Sequence, residues 1–103
     1  MNHQEIELAI LESVEKVPNQ KTLAQEIGYS VGKVNFVLKG LVEKGCIKAD
    51  RFLNSNKKYQ YKYLLTKEGI TQKIQLTESF IQRKKKEYDK LQENLKKYEE
   101  MYR

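Results

Sequence analysis

A chain of 103 residues has room for about one domain and little room for a deeply buried active site. Hydrophobic residues make up 39% and charged residues 33%, with one Pro, five Gly and the single Cys46. That balance excludes a disordered tail, a bilayer-spanning chain and a disulfide-stapled secreted scaffold. Charge is uneven: residues 1–20 hold one Lys against four Glu, 21–66 hold nine Lys or Arg against three acids, and 67–103 hold ten against seven. The net charge of +6 is therefore concentrated in the middle third, which points to a polyanionic partner, nucleic acid before a membrane surface. The acidic start, Met1 to Glu15, lacks the pattern of a signal peptide, and a cytoplasmic, nucleoid-associated location is expected.

The first segment reads as a helix from about Asn2 to Val17. Asn2 is its cap, with Glu5 in capping-box position, and Ile6, Ala9, Ile10, Ser13, Val14 and Val17 form an apolar stripe. Pro18 ends it, and its Glu residues are assigned to an outer face remote from any nucleic acid. Asn19 caps a second, short helix that buries Leu23, Ala24 and Ile27 and closes at Gly28. After the Gly28-Tyr29 turn, Ser30 caps a third helix over 31–44, with Val34, Val37, Leu38 and Leu41 inward and Gly45 as its stop. Two short amphipathic helices joined by a tight glycine turn have the layout of a helix-turn-helix.

The period then changes. Ile47–Phe52 and Tyr59–Leu65 are rich in aromatic and β-branched residues, and the polar run from Leu53 to Lys58 lies between them, so a β-hairpin is expected. Thr66 caps a last helix that runs unbroken to Arg103, roughly 55 Å of rod at 1.5 Å per residue. Ile70, Ile74, Thr77, Ile81, Lys84, Tyr88, Leu91, Leu95, Tyr98 and Tyr102 are spaced alternately by four and three, a heptad seam interrupted by Thr77 and Lys84. Leu76 and Phe80 widen the stripe near its start, where the helix is expected to pack on the body. The fold class is mainly α, an α+β winged helix-turn-helix: three helices, a two-stranded wing and one long C-terminal coiled-coil helix. The domains expected are a DNA-binding unit over 1–66 and a dimerising helix over 67–103.

A winged helix meets DNA by placing one helix in the major groove, which is wide enough for it. With Val34 at the centre of the buried side, Gly32, Phe36, Lys39 and Glu43 point outward, and Lys33, Asn35 and Gly40 lie on the shoulders. Asn35 offers the paired donor and acceptor that match adenine, Lys33 and Lys39 suit phosphates or guanine edges, and Phe36 suits thymine methyls. Gly32 allows close backbone approach, and Ser30 with the helix N-terminus suits a phosphate. The plainer alternatives are that Ser30 is only a cap and that Phe36 belongs to the core. Arg51, Asn56, Lys57 and Lys58, with Lys48 and Lys62, place the wing over 53–59 on the adjacent minor groove and backbone, unless these lysines merely solubilise a loop and blunt sheet edges. The run Arg83-Lys84-Lys85-Lys86 reads first as a solvated helix face. Ile74, Ile81, Tyr88, Leu91, Leu95, Tyr98 and Tyr102 are the expected homodimer contacts, and the direction of pairing stays open.

The stretch Thr22 to Gly45, TLAQEIGYSVGKVNFVLKGLVEKG, followed by a hairpin and by Tyr63-Leu-Leu-Thr-Lys-Glu-Gly69-Ile, resembles MarR-type winged-helix regulators. It is particularly similar to the short subgroup associated with exopolysaccharide gene clusters. The resemblance implies bacterial transcription regulators that bind promoter DNA as dimers through the third helix and wing. Larger MarR proteins wrap helices from both ends around a ligand-binding dimer interface, whereas here one short N-terminal helix and one rod speak against a small-molecule inducer.

The leading expectation is a homodimeric, sequence-specific, double-stranded-DNA-binding transcription regulator with no cofactor, metal, membrane partner or catalytic activity. The alternatives are a winged-helix protein-interaction module docking partners through the C-terminal helix, and a plasmid or phage protein for replication or partition. An enzyme is disfavoured because His3 is the sole histidine, one Cys cannot build a metal cage, and the glycines are scattered. Cys46 reads as a small apolar residue in preference to a redox switch.

Overall fold

The computed structural model describes residues 2–16 and 20–103. Among these, the elements in order are α1 (His3–Ser13), α2 (Gln20–Ile27), α3 (Val31–Glu43), β1 (Ile47–Leu53), β2 (Tyr59–Leu65) and α4 (Lys67–Tyr102). The architecture is the expected winged helix-turn-helix with a long C-terminal helix. The expected helix end at Val17 and Pro18 and the cap at Asn19 lie outside the described residues.

Local chemistry explains each boundary. Asn2, Ser30 and Thr66 are extended caps, and each side-chain oxygen accepts the backbone N–H three residues on, from Glu5, Lys33 and Gly69. Gly28 and Gly45 follow α2 and α3 at φ +81° and +80°, a conformation that a Cβ makes costly. α1 stops at Ser13, one turn short of the expected end, and Val14 to Lys16 form a turn. The antiparallel hairpin runs from Ile47 opposite Leu65 to Leu53 opposite Tyr59, so β1 extends one residue further than expected.

The core is one cluster in which Ile6, Ile10, Leu11 and Val14 of the first segment meet Leu23 and Ala24, then Val34, Val37, Leu38 and Leu41 of α3. Cys46, Ile47 and Leu76 close it from the sheet and from α4. Two inward positions differ from the expected stripe of α1. Leu11 is buried where Ala9 and Ser13 are only half-buried. Glu7, assigned to the outer face, is 4% exposed. Its carboxylate lies 2.7 Å from His3 Nε2 and 3.5 Å from Lys44 Nζ, and accepts from Gln72 Nε2 at 3.4 Å, so three partners compensate its burial.

One junction ties the wing to the rod. The Thr66 hydroxyl donates to Gly45 O, and the Thr66 N–H donates to Cys46 O at 3.1 Å. Gly69 then passes so close that an added Cβ would stand 2.0 Å from Cys46 O. Leu76 is the last buried residue of α4, and past the turn that carries Arg83 the helix projects from the body. The molecule measures 70 × 26 × 19 Å, and its radius of gyration is 18.8 Å where a compact chain of this length has about 13 Å.

Candidate nucleic-acid interface

α3 is held by four buried aliphatic side chains, Val34, Val37, Leu38 and Leu41, all on one side. The opposite side is therefore free by helical geometry. Ser30, Gly32, Lys33, Asn35, Phe36 and Lys39 are all exposed, as is Glu43, while Gly40 on the shoulder is half-buried. Phe36 is 68% exposed, which removes the alternative of a core phenylalanine. Lys33 Nζ stands 5.9 Å from its ring centroid, so cation and aromatic form one surface unit. The Ser30 hydroxyl caps the helix, accepting from Lys33 N at 3.2 Å. Nothing within 4 Å would meet a Cβ at Gly32, so the glycine leaves open surface and no internal contact demands it.

The hairpin carries the second group. Arg51, Asn56, Lys57 and Lys58 are exposed, and so are Lys48 and Lys62. Asn54 organises the tip: its side-chain oxygen accepts from Asn56 N at 2.9 Å and Lys58 N at 3.1 Å. Lys57 sits at φ +58°, the sole non-glycine residue at positive φ among those described. By strand alternation Ala49, Arg51 and Leu53 share a face with Tyr63, Tyr61 and Tyr59, continuing outward from buried Ile47 and half-buried Leu65. The Arg51 guanidinium lies 3.7 Å over the Tyr59 ring, and Tyr61 and Tyr63 stack at 6.2 Å. Sequence reasoning named Arg51 but missed Tyr59; the cross-strand register, which would have signalled it, depends on the turn length.

The basic run of α4 divides. Arg83 lies on Phe80 at 4.9 Å and reaches α1 through Gln4 Oε1 at 3.3 Å and Glu5 Oε1 at 3.9 Å. Lys84 pairs with Glu87 at 3.4 Å, and Lys85 and Lys86 are exposed. Ile74, Ile81, Tyr88, Leu91, Leu95, Tyr98 and Tyr102 are all roughly half or more exposed, as is Met101, which the heptad reading omitted. Burial pushes the Cys46 thiol up from its ordinary range; nearby Lys44 opposes that, and Glu7 and Glu68 add to it. Among the described residues no group of three His, Cys, Asp or Glu side chains is placed to hold a metal ion, and no helix is long and apolar enough to cross a membrane.

No family model matches the chain, and no curated protein matches it. Solved structures do. MepR of Staphylococcus aureus, a transcription regulator of the multidrug efflux pump MepA, superposes with a TM-score of 0.60 at 19% identity over 100% of this chain and 80% of that one. A MarR family transcription regulator, SP03579, gives 0.59 at 16% identity, over 90% of this chain and 69% of its own. The fold is the MarR-type winged helix. TA0346 of Thermoplasma acidophilum, assigned as a transcriptional regulator, shares this MarR-type fold with a TM-score of 0.67 at 23% identity, covering 87% of this chain and 93% of that one. S. aureus MepR has also been solved in complex with DNA, and that chain gives 0.59 at 20% identity. At these identities the likeness is one of fold, and it does not single out the exopolysaccharide-associated subgroup.

Proposed function

We propose that the chain is a sequence-specific, double-stranded-DNA-binding transcription regulator that acts as a homodimer and catalyses no reaction. The observation that carries the reading is the two-sidedness of α3: four aliphatic residues anchor it while Lys33, Asn35, Phe36 and Lys39 stand in solvent. A cap-first, glycine-containing helix with that outer face suits the major groove, with Asn35 on an adenine edge and the lysines on phosphate or guanine. The wing tip, with Arg51, Asn56, Lys57 and Lys58, lies along the neighbouring minor groove and backbone in this reading. Residues 1–66 bind DNA and 67–103 join two copies, so that the operator has two related half-sites. That MepR, whose fold the chain shares, has been solved in complex with DNA supports a DNA-binding role. A regulator of promoter DNA works at the nucleoid, in the cytoplasm.

Selecting bound fragments from random duplex DNA tests binding, motif and half-site spacing together. Asn35→Ala then relaxes preference at one base pair, a loss of about 1–3 kcal/mol in discrimination. Lys39→Ala weakens all sequences alike and lowers the slope of log affinity against log salt by about 1. Failure to retain any duplex at low salt overturns the reading. The contrasting role of a protein-docking module predicts binding through α4 that responds weakly to salt.

A further inference from the structure

The outer part of α4 is an apolar face with no cover from its own chain. Past Leu76 its seam residues stand in solvent, from Ile81 at 49% exposed to Tyr102 at 80%. A groove of about 850 Å³ opens at the inner end of that rod, lined by Leu8 of α1 and by Thr77, Phe80, Ile81 and Tyr88 of α4. The chain exposes 7899 Å², whereas a compact monomer of its mass exposes about 6,100 Å². The surplus exceeds the roughly 800 Å² per partner that a stable complex covers. A second copy of the chain matches this surface, because it brings a seam of the same length and spacing.

Direction follows from Lys84. In a parallel, in-register pair every seam residue meets its own copy, so two Lys84 ammonium groups share one dehydrated layer. A lysine on a coiled-coil seam selects against such a partner. Ile70 and Ile74 are as exposed as Ile81, but they flank the turns of α4 whose Gly69 and Leu76 are buried in the body. The part of the seam beyond those turns runs from Thr77 to Tyr102, with its midpoint between Asp89 and Lys90. Antiparallel pairing about that midpoint sets Tyr88 against Leu91 and Lys84 against Leu95. The same register sets Ile81 against Tyr98, Thr77 against Tyr102, and Phe80 beside Met101. The end of one rod then reaches the level of Leu76, where the other rod enters its body, and Ile74 lies at the edge of the contact. Against this register, Glu78 faces Glu99, but Glu99 is paired with Arg103 of its own chain at 3.5 Å. The one attraction that favours the parallel pair, Lys73 with Glu78, joins a half-buried lysine to an exposed glutamate at the rim of the seam, where an ion pair contributes little.

We infer that two copies pair antiparallel through α4, and that Tyr98, Met101 and Tyr102 of each copy fill the groove between Leu8 and Phe80 of the other. The inference rests on the dimer proposed above and deepens it: the two winged helices sit at opposite ends of one rod. Cysteine cross-linking reads the direction. Lys84→Cys and Leu95→Cys chains, one of them tagged, are co-expressed and oxidised, with buried Cys46 left in place. The mixed pair is expected to form a disulfide, while neither variant cross-links to itself, because Leu95 and its copy stand about 16 Å apart along the axis. Nitroxide labels on Glu100→Cys, off the seam, give a second reading: about 30 Å in the antiparallel pair and under about 20 Å in a parallel one. Self-linking of either variant, or the short label distance, overturns the direction and leaves the dimer standing. A dimer in sedimentation with no cross-link in any mixture overturns the groove contact. A monomer at all concentrations overturns both this inference and the dimer on which it rests.

Discussion

At Gly69 the backbone of α4 passes so close to Cys46 O that any side chain collides with main chain. The Thr66 hydroxyl spans the same junction, accepting from Gly69 N and donating to Gly45 O. Gly69→Ala is therefore expected to cost about 1–3 kcal/mol in urea unfolding, the range for overpacking at a site that cannot yield. Cys46 lies in this junction, and its thiol is held above its ordinary range by burial. Since the folded state favours the protonated thiol, that contribution is intact below the ordinary thiol pKa and is lost as pH rises past about 9. Thermal melts of wild type and Cys46→Ala across pH 7 to 10 are expected to differ in slope only at the alkaline end. Peroxide at neutral pH should leave DNA affinity unchanged.

At the scale of elements, the wing tip holds a local conflict. Asn54 gathers the turn through two backbone N–H groups, and within that turn Lys57 stands at φ +58°. A non-glycine residue there costs about 1–2 kcal/mol relative to right-handed backbone. Lys57→Gly is therefore expected to raise stability, by up to about 1 kcal/mol, while weakening duplex binding and reducing its salt slope by about 1. A gain in stability with no loss of affinity would show that Lys57 is only a solubilising residue. α3 has no such strain: its cap, its glycine stop and its single aliphatic side all agree, which keeps its outer face available for polar and aromatic groups.

For the whole molecule, the 70 Å extent against a 19 Å minor dimension sets what assembly does. A long helix with this polarity gains little from propensity alone and needs packing along its seam. Leu91→Asp, in the middle of the exposed seam, is expected to give a monomer in sedimentation and to weaken operator binding by a hundredfold or more, while the body keeps its thermal transition. The body is expected to survive because the core cluster closes with Leu76 and includes nothing beyond it. Loss of the body's transition in that variant would mean that the rod and the body fold as one unit.

The order of elements, the phase of α3 and the exposed apolar stripe of α4 were legible in the sequence, because periodicity, caps and glycine stops act over three or four residues. Ser30, Gly32, Lys33, Asn35, Phe36 and Lys39 were legible as an outward face for the same reason: fixing Val34 inward places every other residue of that helix. Glu7 was not legible. An acid on an amphipathic helix with other glutamates reads as a surface residue until Lys44 and Gln72, far away in the chain, are brought to it. The same holds for Gly69, whose constraint is the Cys46 carbonyl, and for the groove, which Leu8 of α1 and Phe80 of α4 line together. Local sequence determines what each segment presents; which carboxylate is buried, and which apolar face is left without a partner, depends on contacts between distant segments that only the packed chain brings about.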